Sequence, residues 1–411
     1  MSGLERWIAK EWDHAAAMML KSISPVGIVK ERERFGQVIL PKPGSVVASP
    51  VLAAYDPDPD YFFHWYRDSA LVIDALRLLR PELAEADGLF QDFVRFSLSL
   101  HDLDGRNLPP DWRDRAEPDF VRFLRTNAAD AHGAAIPAET RVNPDGTLDI
   151  TDWPRPQHDG PALRALCVLR WGAEGEAAEL VRRDLAFVLR HARQPCFDIW
   201  EEEVGLHAYT LRVSAAALEA GAGWLQARGD TVMANLCHKE ARLLEVALDD
   251  FWIEEQAHLR SRFVEGGAPE KLLDISVILG ANHAGLLGER YRLTLARLED
   301  FFDAAYAINR ARPSGRAPAL GRYQGDRYYS GGAYYFSTLG AAEFHYRNGD
   351  VETGDAYLET VRAFTPESGD LSEQFDQNNG AQTSARHLAW SYAAFLSAVA
   401  ARRLIIGTVA A

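Results

Sequence analysis

The chain has 411 residues, 47% of them hydrophobic and 25% charged. These are globular proportions and exclude disorder, a collagen repeat and a disulfide mini-scaffold. Its 44 basic and 59 acidic residues leave a net charge of −15, a field that repels phosphate backbones and argues against a nucleic-acid partner.

The opening stretch, MSGLERWIAKEWDHAAAMML, places Leu4, Trp7, Ile8, Trp12, Ala15, Ala16, Met19 and Leu20 at spacings of three and four, one face of an amphipathic helix. It lacks the basic head and continuous apolar block of a signal peptide. A cytoplasmic location is expected if this is the native start, and a secreted or periplasmic one if a leader was removed. No run of 18 apolar residues occurs, so no membrane partner is expected. Val26 to Pro50 carries Gly27, Gly36 and Gly44 with β-branched runs at Gln37–Leu40 and Val46–Ala48, which predicts short hairpins. Helical spacing then recurs at about Ser69–Arg80, Phe90–His101, Pro161–Trp171, Glu176–Arg193, Leu206–Ala227, Thr231–Trp252, Leu273–Leu287, Thr294–Ile308, Ala333–Tyr346, Glu352–Phe364 and Thr383–Arg403. Between these, Asn143-Pro144-Asp145-Gly146 marks a turn. Several helices are rich in Ala and Leu with few charges, which predicts burial on more than one side.

Twelve helices without a linker, a fixed-period repeat or a parallel-strand pattern predict an all-α fold in a single domain over residues 1–411. Twelve is the number that six α-hairpins in a closed ring require, although periodicity does not prove closure. Cys167, Cys196 and Cys237 leave one cysteine unpaired in any scheme and read as reduced, buried thiols.

Long loops separate the helices at Pro50–Arg67, Leu103–Gly160, Gln194–Gly205, Pro313–Gly332 and Thr365–Ala381, and loops of this length tend to be functional. They hold Trp65, Trp112, Trp153, Trp200, Tyr323, Tyr328 and Tyr329, with Tyr334 just beyond. Aromatic rings among Asp, Glu and Arg suit a ligand with flat apolar faces and hydroxyl edges, as sugars have.

Three segments carry candidate chemistry. Phe197-Asp198-Ile199-Trp200-Glu201-Glu202-Glu203 reads either as a solvated helix N-terminus or as a loop in which one Glu lies against the indole. In the second case, desolvation and neighbouring charge would keep it protonated as a general acid. Leu371-Ser372-Glu373-Gln374-Phe375-Asp376 reads either as a helix cap or as a placed carboxylate, and Asn378-Asn379-Gly380 after it favours a tight turn. Tyr61-Phe62-Phe63-His64-Trp65-Tyr66-Arg67-Asp68 holds an Arg–Asp pair, either a structural salt bridge or a clamp for neighbouring sugar hydroxyls. The twelve His residues form neither HExxH nor a Cys/His cluster, and there is no GxSxG, P-loop or strand-linked GxGxxG. No metal and no cofactor is expected. Two carboxylates acting alone imply acetal hydrolysis.

The chain resembles the glucoamylases of glycoside hydrolase family 15 nearly end to end. The motifs, in order, are Pro59-Asp60-Tyr61-Phe62 with Trp65-Tyr66-Arg67-Asp68-Ser69-Ala70-Leu71; Arg155-Pro156-Gln157-His158-Asp159-Gly160-Pro161-Ala162-Leu163-Arg164-Ala165; and Asp198-Ile199-Trp200-Glu201-Glu202. They continue with Gly321-Arg322-Tyr323 and Asp326-Arg327-Tyr328-Tyr329, then Ser372-Glu373-Gln374-Phe375 with Ser384-Ala385-Arg386 and Trp390-Ser391-Tyr392-Ala393. The resemblance implies an (α/α)6 barrel with Glu201 as general acid and Glu373 as general base. It further implies that Arg67, Asp68 and Arg322 hold the terminal glucose and that Tyr61 and Trp65 wall it. Trp153, Trp200 and Glu202 would reach the leaving sugar, with Tyr328 and Trp390 as further pocket positions. The two carboxyls of an inverting pair should stand roughly 6.5–9.5 Å apart.

The reaction so implied is release of β-D-glucose from non-reducing ends of α-1,4-linked malto-oligosaccharides or starch. Alternatives are an α-1,6 (isomaltose) glucohydrolase, a non-catalytic carbohydrate-binding homologue, and a phosphorylase. The resemblance departs at Tyr334, where fungal members carry Trp, at Ile199, and across Leu103–Ile150. No starch-binding module or leading β-sandwich is expected, and the protein is expected to be a monomer. Asp198 is unassigned: it either orients its loop or assists the base.

Overall fold

The computed structural model describes residues 2–53, 58–310 and 312–409. Its α-helices are α1 (Gly3–Leu20), α2 (Tyr66–Leu79), α3 (Ala86–Ser99), α4 (Asp159–Trp171), α5 (Glu176–His191), α6 (Ala208–Gln226), α7 (Thr231–Asp249), α8 (Ser276–Ala284), α9 (Glu289–Ala305), α10 (Ala307–Arg310), α11 (Tyr335–Arg347), α12 (Val351–Phe364) and α13 (Ala389–Val409). Apart from the single turn α10, these are the twelve that periodicity predicts.

The ring closes. Helix α2 packs on α4, α4 on α6, α6 on α8, α8 on α11, α11 on α13, and α13 back on α2. Outside this inner ring α1 backs α13, α3 backs α2, α5 backs α4, α7 backs α6, α9 backs α8 and α12 backs α11. The arrangement is an (α/α)6 barrel. Inner helices lie between the barrel axis and the outer layer, so they hide more than one face: Asp159–Val168 of α4 and Tyr335–Ala342 of α11 are continuously buried. Outer α7 buries only Ala234, Cys237, Ala241, Leu244 and Leu248, one stripe at helical spacing. All three cysteines are buried and free.

Close approach needs small residues in places. A Cβ on Gly160 would stand 2.5 Å from Tyr66 Cβ, so a side chain there would push α4 off α2. Helices α4 and α5 are also tied by a fully buried ion pair, Arg164 Nε to Asp184 Oδ2 at 2.8 Å and Nη2 to Oδ1 at 2.6 Å.

Several boundaries differ from the sequence reading. The last helix starts at Ala389 rather than Thr383, because Gln382–Arg386 is a strand paired antiparallel with Ser372–Phe375. The helix expected over Leu273–Leu287 contracts to Ser276–Ala284; Asp274 Oδ1 caps it by accepting from Ser276 N at 2.7 Å, and Gly285 ends it at φ 77°. Lys30–Arg32 and Gln37–Ile39 form the expected hairpin, whereas Val46 makes only an isolated bridge to Ile23. Asn143 N donates to Thr147 O at 2.9 Å across the expected turn. Helix α13 has a stretch long and apolar enough to cross a membrane by length and composition, and half of that stretch is buried in the barrel.

The long loops gather at one end. Arg67 and Asp68 lie in the first turn of α2, Asp159 opens α4, Phe336 lies at the start of α11 and Trp390 at the start of α13. These inner helices therefore present their N-termini, the positive ends of their dipoles, to the same space.

Candidate active site

That space is a cavity of about 360 Å³, and its lining includes Tyr61, Trp65, Arg67, Asp68, Trp153, Trp200, Glu201, Glu202, Arg322, Tyr328, Glu373 and Trp390. Every site residue read from the sequence is there. Of the other loop aromatics, Tyr334 also lines the cavity. Trp112 packs instead beside Phe35, Ala116, Leu124 and Ile150. Tyr329 is 40% exposed.

Glu201 sits in the turn between the paired strands Cys196–Phe197 and Val204–His207. It holds a left-handed backbone, φ 65°, which a non-glycine residue adopts at a cost of about 1–3 kcal/mol and which concentrates at functional sites. Its Oε1 accepts from Trp65 Nε1 at 2.8 Å and Arg67 Nη2 at 2.9 Å, and its Oε2 from Trp153 Nε1 at 2.5 Å. The indoles against Glu201 are thus Trp65 and Trp153, and they donate to it. The neighbouring Trp200 turns its Nε1 away, to Asp274 Oδ2 at 2.8 Å. The segment is not a solvated helix N-terminus; it is a turn whose Asp198–Trp200 side is buried while Glu202 stays exposed.

Glu373 stands on Ser372–Phe375, the middle strand between Ala333–Tyr334 and Gln382–Arg386. Ser384 Oγ donates to its Oε2, and Tyr61 Oη reaches Oε1 at 3.5 Å. Burial pushes the Glu373 carboxyl up to about 7, against the opposing pull of Ser384 and Arg322. The two glutamates face one cavity through separate hydrogen-bond sets.

Arg67 and Asp68 are both buried. Arg67 Nε lies 3.4 Å from Asp68 Oδ2, and its Nη1 lies 3.4 Å from Asp159 Oδ2. Burial raises Asp68 to about 6, with Arg67 pulling the other way. Arg322 is gripped by Asp326 through two 2.6 Å bonds, and its Nη2 reaches Glu202 Oε1 at 3.0 Å. Glu202 Oε2 accepts from Tyr323 Oη at 2.6 Å and from Lys271 Nζ. Trp390 stacks on Phe336 with centroids 4.1 Å apart and planes 3° apart. Tyr61 and Tyr328 share a 2.7 Å hydroxyl contact. Asp198 does not line the cavity; its Oδ1 accepts from Glu202 N at 2.7 Å and its Oδ2 lies 3.3 Å from Lys271 Nζ. These contacts tie Asp198 to the backbone of the Glu201 turn and to Lys271.

The model of glycosyl hydrolases family 15 matches residues 35–98, 138–354 and 349–400. The chain belongs to this family. It is a glycoside hydrolase, glucoamylase-like in sequence and fold. Glucoamylase 1 of Rhizopus oryzae is 24% identical over 97% of this chain and 71% of its own length. The probable glucoamylase of Schizosaccharomyces pombe is 26% identical over 99% and 94%. The structure of the family 15 glucoamylase from Hypocrea jecorina superposes with a TM-score of 0.81 at 25% identity, over 98% of this chain and 73% of that one. The match to the family breaks at residues 99–137, which overlap the stretch Leu103–Ile150 that departs from the fungal pattern. In this family 15 chain residues 99–137 carry several short 3-10 segments and pack in small clusters apart from the main core, completed by Phe35, Leu148 and Ile150.

Sequence reasoning missed six residues that hold the site. Asp159, Tyr323, Asp326 and Ser384 lie inside motifs that resemble the family, so their position was the available signal. Asp274, like Lys271, lies in no such motif.

Proposed function

We propose that the chain is an inverting exo-glucosidase that releases β-D-glucose from non-reducing ends of α-1,4-linked malto-oligosaccharides and starch, a reading supported by its likeness to glucoamylases. The observation that carries this reading is the convergence of both glutamates, the Arg67–Asp68 pair and Arg322 on one aromatic-walled cavity.

In this reading Arg67, Asp68 and Arg322 hold the terminal glucose by its hydroxyls. Such contacts discriminate strongly, because a mismatched sugar leaves buried polar groups unpaired. Trp65 and Tyr61 wall the ring. Trp153, Trp200 and Glu202 meet the leaving sugar, and Tyr328 and Trp390 complete the pocket. Glu201 gives its proton to the glycosidic oxygen as the C1–O bond breaks. A water on the opposite face attacks C1 and passes its proton to Glu373. Trp65, Arg67 and Trp153 fix the Glu201 carboxyl in advance, so little orientation is lost during reaction.

NMR of the products from maltose and longer malto-oligosaccharides tests this. β-Glucose is expected first, from chain ends only; α-glucose first, or internal cleavage, overturns it. A second reading, preference for α-1,6 bonds, is favoured by Tyr334, which stands where fungal members carry Trp and ties its hydroxyl to Gln374 Nε2 at 2.8 Å. The ratio of kcat/KM on maltose to that on isomaltose separates the two.

A further inference from the structure

The turn that carries Glu201 is crowded with negative charge: Asp198, Glu201, Glu202 and Glu203 lie within six residues. Like charges this close repel unless a fixed cation lies between them. A single ammonium reaches three of them. Lys271 Nζ bonds Glu202 Oε2, lies 3.3 Å from Asp198 Oδ2 and 3.8 Å from Glu203 Oε2, and stands 4.5 Å over the Tyr323 ring. The lysine is only 5% exposed.

Its segment is anchored at both ends. Ser261 Oγ donates to Lys271 O and Ser261 N to Leu272 O, each at 2.8 Å. Asp274 bridges Tyr323, Ile275 N donates to Arg322 O at 2.9 Å, and Asp274 takes the Trp200 indole. The stretch from 271 to 275 thus joins the Glu201 turn to the Arg322 loop. Of the groups that Lys271 touches, Glu202 is the one that lines the cavity, and its side chain keeps 30% exposure. One of its oxygens rests on Arg322, the other on Lys271 and Tyr323.

We propose that Lys271 is a positioning residue for the leaving-sugar side of the site: it fixes Glu202 without touching substrate. The inference rests on the function proposed above, in which Glu202 meets the leaving sugar. Removing the ammonium takes the cation from Asp198 Oδ2 and leaves Glu202 held by Arg322 and Tyr323 alone, so its carboxylate is repelled by Asp198 and less firmly fixed. Contacts to hydroxyls of the departing sugar suffer first. An aryl leaving group makes no such contacts.

The test compares maltose with p-nitrophenyl α-D-glucoside on the full chain. Lys271→Met should raise KM for maltose about tenfold, with kcat/KM on the aryl glucoside within about twofold of the parent. Lys271→Arg, which keeps the charge, should restore most of the maltose KM. The double variant Lys271→Met/Glu202→Gln should be no worse on maltose than the worse single variant, since both act on one interaction. Additive losses, equal losses on both substrates, or an unchanged maltose KM each overturn the proposal. Should Lys271→Met not fold, Lys271→Gln with the same double-variant comparison decides. If the parent chain hydrolyses neither substrate, the proposed function fails; if it hydrolyses both and Lys271→Met matches it, only the role of Lys271 fails.

Discussion

Ser384 donates its hydroxyl to Glu373 Oε2 while its own backbone sits in the left-handed region at φ 65°. The strained residue and the carboxylate it supports lie on adjacent strands of one hairpin. This bond opposes the burial that pushes Glu373 up to about 7. A base must be ionised, so kcat/KM of the free enzyme should rise with pH through a limb well above the ordinary carboxylate range. Ser384→Ala should move that limb further alkaline, and Ser384→Gly should move it equally while relieving the backbone, gaining stability relative to Ala. A limb at about 4.5 that ignores both substitutions would refute this account.

Glu201→Gln and Glu373→Gln should each lower kcat by about 10²–10⁴. Each keeps the shape of its side chain, so sugar binding should survive. Calorimetric titration with glucose checks binding, and turnover on maltose checks the loss. Near-parental turnover in either variant removes that residue from the mechanism.

Gly160→Ala should harm activity from a distance. The added Cβ would stand 2.5 Å from Tyr66 Cβ, beside the first turn of α2 that carries Arg67 and Asp68. Overpacking of this kind costs about 1–3 kcal/mol. Thermal unfolding should show that loss, and KM should rise as Arg67 and Asp159 shift apart. A variant with parental stability and KM would mean that the two helices part without strain.

Glu11 on α1 is buried, with Oε1 lacking a hydrogen-bond partner. Desolvation raises its carboxyl to about 8. Between pH 4.5 and 8 the native state therefore binds more protons here than the unfolded chain does, so this group's contribution to stability falls as pH rises through that window. Glu11→Gln should raise Tm at pH 8 and change it much less at pH 5. Equal Tm shifts at both pH values would exclude titration of Glu11 as the cause.

Parts of the site were legible because chemistry and order survive in the linear chain. Arg67 and Asp68 are adjacent, Glu201 and Glu202 are adjacent, and the Arg155–Ala165 segment is distinctive by itself. Other parts were not. Lys271 and Asp274 stand in no motif, and the residues they hold, Asp198, Trp200, Glu202 and Tyr323, lie far from them along the chain. Thr383–Arg403 has helical spacing overall, yet at Thr383–Arg386 pairing with Ser372–Phe375 overrides the local pattern and makes a strand.

The sequence by itself determined the helix number, the buried faces of the Ala- and Leu-rich helices, and the identity of the residues that carry chemistry, since periodicity and side-chain type are local properties. Only the tertiary structure decided that the ring closes through α13 on α2, that Glu201 takes its donors from Trp65, Arg67 and Trp153, and that Trp200 turns to Asp274. Those outcomes depend on which distant segments meet, and that is set by packing the whole barrel, not by any window along the chain.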